Sequence, residues 1–278
     1  MKNLRNKVVV ITGAGSGIGR ALALNLAAKG SRLALSDVNT AGLAETAELA
    51  TKAGAPDVHT ATLDVADREA FASYAASVAE HFGQVNVVIN NAGVALAGDV
   101  VDLDYKDMDW IVGINFWGVV HGTKEFLPHL IASGDGHVVN LSSLFGLLAM
   151  PGQSAYNATK FAVRGFTEAL REEMLIAGHK VGVTSVHPGG IKTAIARNAR
   201  VSDKEDKAAT AKLFDEKLAK MTPERAAEII VKGIVKNQAR VLVGLDAHAL
   251  HQFQKFTGSR YEDVIAVVSK RVLPAKAV

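Results

Sequence analysis

Tyr156 and Lys160 stand four residues apart in a stretch whose other residues suit a helix. That spacing puts both side chains on one helix face, one turn apart. A phenol titrates near 10 and is a poor base at neutral pH, and an ammonium held beside it favours the phenolate. The expected outcome is a phenol that exchanges a proton near pH 7, as general acid/base catalysis requires. Ser143 lies upstream, just past an apolar run (Val138, Val139, Leu141) that reads as a strand. A hydroxyl there, beside a helix carrying Tyr and Lys, can hold a substrate oxygen. Taken alone, the pair would equally suit a solvated helix face with a snorkelling amine. A second constellation near the N-terminus favours the chemical reading.

Residues 7–11 are a β-branched apolar run, the pattern of a strand buried on both faces. Thr12-Gly13-Ala14-Gly15-Ser16-Gly17-Ile18-Gly19-Arg20 follows, then an Ala/Leu-rich helix to about residue 29. Strand, glycine loop and helix together form a phosphate cradle. The glycines let the backbone approach a pyrophosphate, and the helix start offers free N–H groups and partial positive charge. The spacing is Gly-x-x-x-Gly-x-Gly on Gly13, Gly17 and Gly19. Asp37 ends a second strand (32–36), 20 residues after Gly17, where a carboxylate hydrogen-bonds adenosine ribose hydroxyls. A carboxylate repels a 2′-phosphate, and Val38 and Asn39 supply no compensating cation, so NAD is favoured with NADP the alternative. Capping of the next helix is a second task open to Asp37.

The alternation continues with helix 40–53, strand 59–63, helix 67–82 and strand 85–90. Asp64-Val65 is placed to touch the adenine, and Asn90-Asn91-Ala92-Gly93 forms a bend at a strand end. A long helix over 104–131 carries Asn115 between Ile114 and Phe116, which is locally unfavourable and implies a polar task, such as fixing a water or bending the helix. Strand 136–141, a helix to about 177, and strand 180–186 lead to His187-Pro188-Gly189-Gly190-Ile191-Lys192-Thr193. Residues 189–221 read as a lid over the site, its charged stretch 203–207 a solvated helix face. A helix over 222–236, with Thr222 as cap and Pro223 in its first turn, precedes a last strand at 241–243. Residues 244–278 form a C-terminal extension whose apolar spacing suits packing, with a neighbouring subunit as one expected partner.

The 278 residues, 49% hydrophobic and 21% charged, suit one large α/β domain over 1–278. Thirty-one basic residues nearly match 28 acidic ones, and no basic arm appears, so nucleic acid is not an expected partner. The absence of cysteine excludes disulfides and thiolate chemistry and fits a reducing cytoplasm. Nine histidines lack ligand spacing, so no metal is expected. No signal peptide or membrane span is expected, since a strand begins near residue 7 and no apolar run approaches 18 residues.

Together these motifs resemble the short-chain dehydrogenase/reductase family in its compact form. They are 12–19, Asp64-Val65, 90–93, Asn115, Ser143, Tyr156-Asn157-Ala158-Thr159-Lys160 and Pro188-Gly189. The resemblance covers residues 7 to about 243. It implies a Rossmann-like doubly wound domain, a seven-stranded parallel sheet with helices on both faces, a bound nicotinamide dinucleotide and a homotetramer. It makes Tyr156 the proton donor or acceptor, has Lys160 lower the phenol's pKa and bind the nicotinamide ribose, and gives Ser143 the substrate oxygen. Ser142 is the neighbouring alternative, which the family's usual separation from Tyr sets aside. Asn115 positions a water linking Lys160 to solvent. Gly13, Ser16, Gly17, Ile18, Gly19, Asp37, Asp64, Val65, Asn91, Ala92, Gly93, Pro188, Gly189, Ile191 and Thr193 line the dinucleotide, Thr193 at the carboxamide. Val94, Leu96, Phe145, Met150 and Gly189 join Ser143 and Tyr156 around the substrate, with Ala95, Leu144, Leu147 and Leu148 as further walls. The expected activity is hydride transfer between NAD(H) and an uncharged, hydrophobic secondary alcohol or ketone. An epimerase or dehydratase of the same fold, and a non-catalytic dinucleotide-binding protein, are the rivals.

Overall fold

A computed structural model describes residues 3–272. The chain alternates strands and helices: β1 (Val8–Thr12), α1 (Gly17–Ala27), β2 (Arg32–Asp37), α2 (Thr40–Lys52), β3 (Val58–Thr62), α3 (Arg68–Phe82), β4 (Val87–Asn90) and a short β5 (Leu96–Ala97). Next come α4 (Tyr105–Val112), α5 (Gly118–Ala132), β6 (Gly136–Leu141), α6 (Ser154–Ile176), β7 (Val181–Pro188), a short β8 (Arg200–Val201) and α7 (Lys207–Leu213). The chain ends with α8 (Pro223–Val235), β9 (Arg240–Val243), α9 (Leu245–Thr257) and α10 (Tyr261–Val272).

Seven strands form one sheet in the order β3-β2-β1-β4-β6-β7-β9, every pair parallel. β1 shows why. Its five residues are all buried, Val9 and Ile11 packing on one face, Val8 and Val10 on the other. One face is covered by α1, α2 and α8 through Leu22, Leu26, Leu43, Ile230 and Ile234. The other is covered by α3, α5 and α6 through Phe71, Val78, Phe126, Leu130 and Leu170. Because all strands run one way, Thr12, Asp37, Asn90, Leu141 and Pro188 end on one edge, where open α/β sheets bind ligands.

Local chemistry sets the helix starts. Asn39 and Asp67 accept the amides of Gly42 and Ala70, and Thr222 accepts that of Arg225 with Pro223 in the first turn, as expected. Three expectations are revised. The single helix over 104–131 is two helices joined by a π turn at Gly113–Trp117, which contains Asn115. The helix carrying Tyr156 begins only at Ser154, after a tight turn at Leu144–Gly146. Residues 189–221 hold β8, α7 and a second π turn, Phe214–Leu218, and the charged stretch expected as a helix face is a turn over 203–206, with α7 starting only at Lys207. Of the expected extension 244–278, the part up to 272 forms α9 and α10, and 273–278 lie outside the described residues. None of the described helices is long and apolar enough to cross a membrane.

Candidate active site

The glycine loop is fastened to the end of β4. Thr12 Oγ1 accepts the amides of Asn91 and Ala92, each at 3.1 Å, and Asn91 Nδ2 donates to the carbonyls of Thr12 (2.9 Å) and Gly13 (3.0 Å). Gly13 (φ 66°) and Gly17 (φ 53°) adopt the left-handed conformation, and a Cβ on Gly13 would lie 2.8 Å from Ala92 Cα. Ser16 makes no side-chain cap and α1 has no acidic residue in its first turn, so nothing competes for its amides with an incoming anion. Asp37 Oδ2 accepts Gly15 N–H and Oδ1 accepts Asn39 N–H, both at 2.8 Å, which fixes the carboxylate at the loop's rim. Arg20 braces the loop's outer side, donating to the carbonyls of Gly15 and Gly42 and pairing with Glu45. Asp64 is exposed beyond β3, whereas Val65 is buried against Gly118 of α5. A cradle built of glycines that a side chain would fill, uncapped amides and a rim carboxylate fit a dinucleotide.

Ser143, Tyr156, Lys160 and Asn115 converge from three elements. Ser143 Oγ accepts Phe145 N–H (3.1 Å) and stands near enough to the Tyr156 hydroxyl to favour its charged form. Lys160 is buried; its Nζ lies 5.7 Å from the Tyr156 ring centroid and donates to Leu141 O at 3.1 Å. Asn115 clamps Val94, accepting its amide at 2.8 Å and donating to its carbonyl at 2.9 Å. A Cβ on Gly93 would stand 3.2 Å from Asn115 Oδ1 and 3.4 Å from Lys160 Nζ, so these three crowd one point. Ser142 Oγ donates to Lys160 O at 2.8 Å, bracing α6 rather than sharing Ser143's position.

The electrostatics correct the sequence expectation. Burial pushes the Tyr156 phenol above its ordinary 10, the nearby Ser143 hydroxyl opposing it less strongly. Burial pulls the Lys160 amine down to about 8. Lys160 is buried and Tyr156 half-buried, which disfavours charge on either, and the amine is already engaged by the Leu141 carbonyl. The phenol is therefore held protonated rather than made acidic by its neighbour.

Around this group, Phe145 meets the Tyr156 ring edge-on at 6.1 Å, and Met150 and Val94 are half-buried. Leu96 is corrected: it is 1% exposed, fixed in β5 opposite Arg200 of β8. Leu144, Leu147 and Leu148 are likewise buried, Leu144 and Leu148 against Ala247 and Tyr261. On the far side, Pro188 ends β7 and Gly189 N–H donates to Val243 O at 2.9 Å. Ile191 is buried with a bridge to Met221, and a Cβ on Gly17 would lie 3.1 Å from Thr193 Cγ2, so Thr193 stands across the cradle.

Sequence reasoning passed over three residues that hold this arrangement. Asn157 donates to the carbonyls of Phe145 (2.7 Å) and Leu148 (2.9 Å) and accepts Met150 N–H (3.1 Å), tying the 145–150 loop to α6. His187, fully buried, donates from Nδ1 to Ser143 O at 2.8 Å. Asp246 reaches the Gly190 amide. Their types carried no local signal; the nearest hint was that Asn157 adjoins Tyr156 and His187 precedes the Pro-Gly bend.

A family model described as short chain dehydrogenase matches residues 7–204. A Mycobacterium tuberculosis protein named as an oxidoreductase, SadH, is 59% identical over 274 residues, covering 99% of each chain. Human epidermal retinol dehydrogenase 2 is 40% identical over 195 residues, 70% of this chain and 63% of that one. Among solved structures, a Burkholderia phymatum short chain dehydrogenase/reductase in complex with NAD superposes with a TM-score of 0.85, at 30% identity, over 100% of this chain and 99% of that chain.

Proposed function

The chain belongs to the short-chain dehydrogenase/reductase family and is an oxidoreductase of that type, and on this premise we propose that it interconverts a secondary alcohol and its ketone with NAD(H). The observation that carries the proposal is the convergence of Ser143, Tyr156, Lys160 and Asn115 beside Gly93, in the segment that fastens the glycine cradle. The dinucleotide, when bound, supplies or accepts the hydride. Ser143 and Tyr156 hold the substrate oxygen between their hydroxyls. As charge grows on that oxygen in reduction, Tyr156 gives it a proton, help typically worth ~10²–10⁴-fold. A phenol that burial keeps protonated is in the state that this donation needs. An amine titrating at about 8 is mostly charged at neutral pH, so Lys160 supports the phenolate left behind and binds the nicotinamide ribose. Asn115 holds the Val94 backbone and positions a water on the route from Lys160 to solvent.

Gly13, Ser16, Gly17, Ile18 and Gly19 take the pyrophosphate. Asn91, Ala92 and Gly93 adjoin it, Asp64 and Val65 the adenine, and Pro188, Gly189, Ile191 and Thr193 the nicotinamide. Asp37 takes the adenosine ribose, and its anchored carboxylate favours NAD over NADP. The B. phymatum relative's NAD complex supports the same cofactor. The substrate is uncharged and hydrophobic. Phe145, Met150 and Val94 around Tyr156 are apolar, and the human relative is named for an apolar alcohol. One domain carries both cofactor and substrate, residues 189–221 act as its lid, and the assembly is a homotetramer. The test is a screen of NAD⁺ and NADP⁺ against neutral and carboxylated secondary alcohols, read by nicotinamide absorbance. Turnover of neutral, apolar alcohols with NAD⁺ is expected; preference for NADP⁺ defeats the Asp37 assignment, and turnover of acidic alcohols alone defeats the substrate class.

A further inference from the structure

Beyond β9, two side chains of the C-terminal helices reach back to the segments flanking the candidate site. Asp246, in the first turn of α9, accepts Gly190 N–H through Oδ2 at 2.7 Å. Its carboxylate fills the space that a side chain on Gly189 or Gly244 would need. α9 is preceded by Gly244, which has no side chain to cap it, and Asp246 bonds the neighbouring segment rather than the first amides of α9. Three residues after Gly190, Thr193 stands against Gly17 of the cradle. The 188–193 segment thus runs from its anchor on α9 to the glycine loop. On the other side, Tyr261 at the start of α10 accepts Ala149 N–H through its hydroxyl at 3.0 Å. With Ala247 it packs on Leu144 and Leu148, in the loop between Ser143 and Tyr156.

We infer that α9 and α10 form a clamp on both sides of the candidate site, with Asp246 and Tyr261 as separate positioning residues. Asp246 sets the path of the 188–193 segment and so the affinity for the dinucleotide. Tyr261 sets the 144–150 loop and so the fit of the substrate. The inference rests on the proposed function, in which those two segments face dinucleotide and substrate. An amide bonded to a carboxylate fixes a backbone more firmly than one bonded to a neutral acceptor, because charge-assisted hydrogen bonds are about twice as strong.

The test compares NADH affinity, by nicotinamide fluorescence, with the KM for the best alcohol of the screen and with the thermal midpoint. Asp246→Ala is expected to weaken NADH binding about tenfold, the scale of one lost charged hydrogen bond. Asp246→Asn keeps an acceptor oxygen and is expected to stay within about threefold of the wild type. Tyr261→Phe is expected to raise the alcohol KM several-fold at unchanged NADH affinity. Undiminished NADH affinity in Asp246→Ala overturns the inference. So do constants for NADH and alcohol that move together with the thermal midpoint, the mark of a merely structural role. Tyr261→Phe, which removes a single oxygen, keeps the test decisive if Asp246→Ala does not fold. Failure of the wild type itself to bind NADH defeats the proposed function instead.

Discussion

His187 shows how one side chain supports the candidate site without entering it. Its Nδ1 faces the Ser143 carbonyl at 2.8 Å and its Nε2 faces Ser185 Oγ at 2.9 Å. A carbonyl only accepts, so the proton sits on Nδ1 and Nε2 accepts from the serine. Burial pulls the ring to about 4, which keeps it neutral and the tautomer fixed. His187→Ala strips the Ser143 carbonyl of its buried donor, at a cost of about 1–3 kcal/mol. The thermal midpoint and kcat should both fall, and His187→Asn, whose amide can replace the Nδ1 donor, should recover part of each. Equal behaviour of the two variants would contradict this role. Tyr156, Lys160 and the glycines could be read from type and spacing, because their chemistry lies within one turn or one loop. His187 and Asp246 could not, because each acts across a fold-made contact, 44 and 56 residues away in sequence.

Among the elements, the sequence marked Asn115 as out of place in a helix, and the structure supplies the reason. A π turn at Gly113–Trp117 inserts extra backbone, and the Asn115 amide bonds both backbone groups of Val94. Of the two tasks expected for it, fixing a water or bending the helix, an irregularity of the helix is visible as the π turn; its form was hidden, because one extra residue in a turn leaves no mark on hydrophobic periodicity. The start of α6 was hidden for a related reason. Residues 142–153 have no strong turn signal except Pro151 and Gly152, and it is Asn157, from within α6, that holds this loop through three backbone groups. The apolar spacing of the tail suits packing, with a neighbouring subunit as one expected partner. The chain itself is another partner, through Ala247 and Tyr261 against Leu144 and Leu148.

For the whole molecule, the alternation of apolar runs and amphipathic segments was enough to foresee a parallel sheet covered on both faces, since two-sided burial needs continuous apolar strands. The same burial predicts sensitivity to acid. His137 and His187 are interior and neutral, pulled from 6.5 to about 3 and about 4 by burial. Below pH 6.5 the unfolded chain takes up these protons while the folded chain does not, so stability falls as pH drops toward 4. Each histidine should cost about 2 kcal/mol between pH 6.5 and 5. Urea midpoints measured across that range should decline steadily, and a flat profile would contradict the assignment. The central claim, that Tyr156 is the proton donor facing a bound nicotinamide, is tested most directly by single-turnover reduction of a ketone with Tyr156→Phe saturated by NADH. The account predicts NADH binding as in the wild type and hydride transfer slowed by ~10²–10⁴-fold; hydride transfer at the wild-type rate would contradict it.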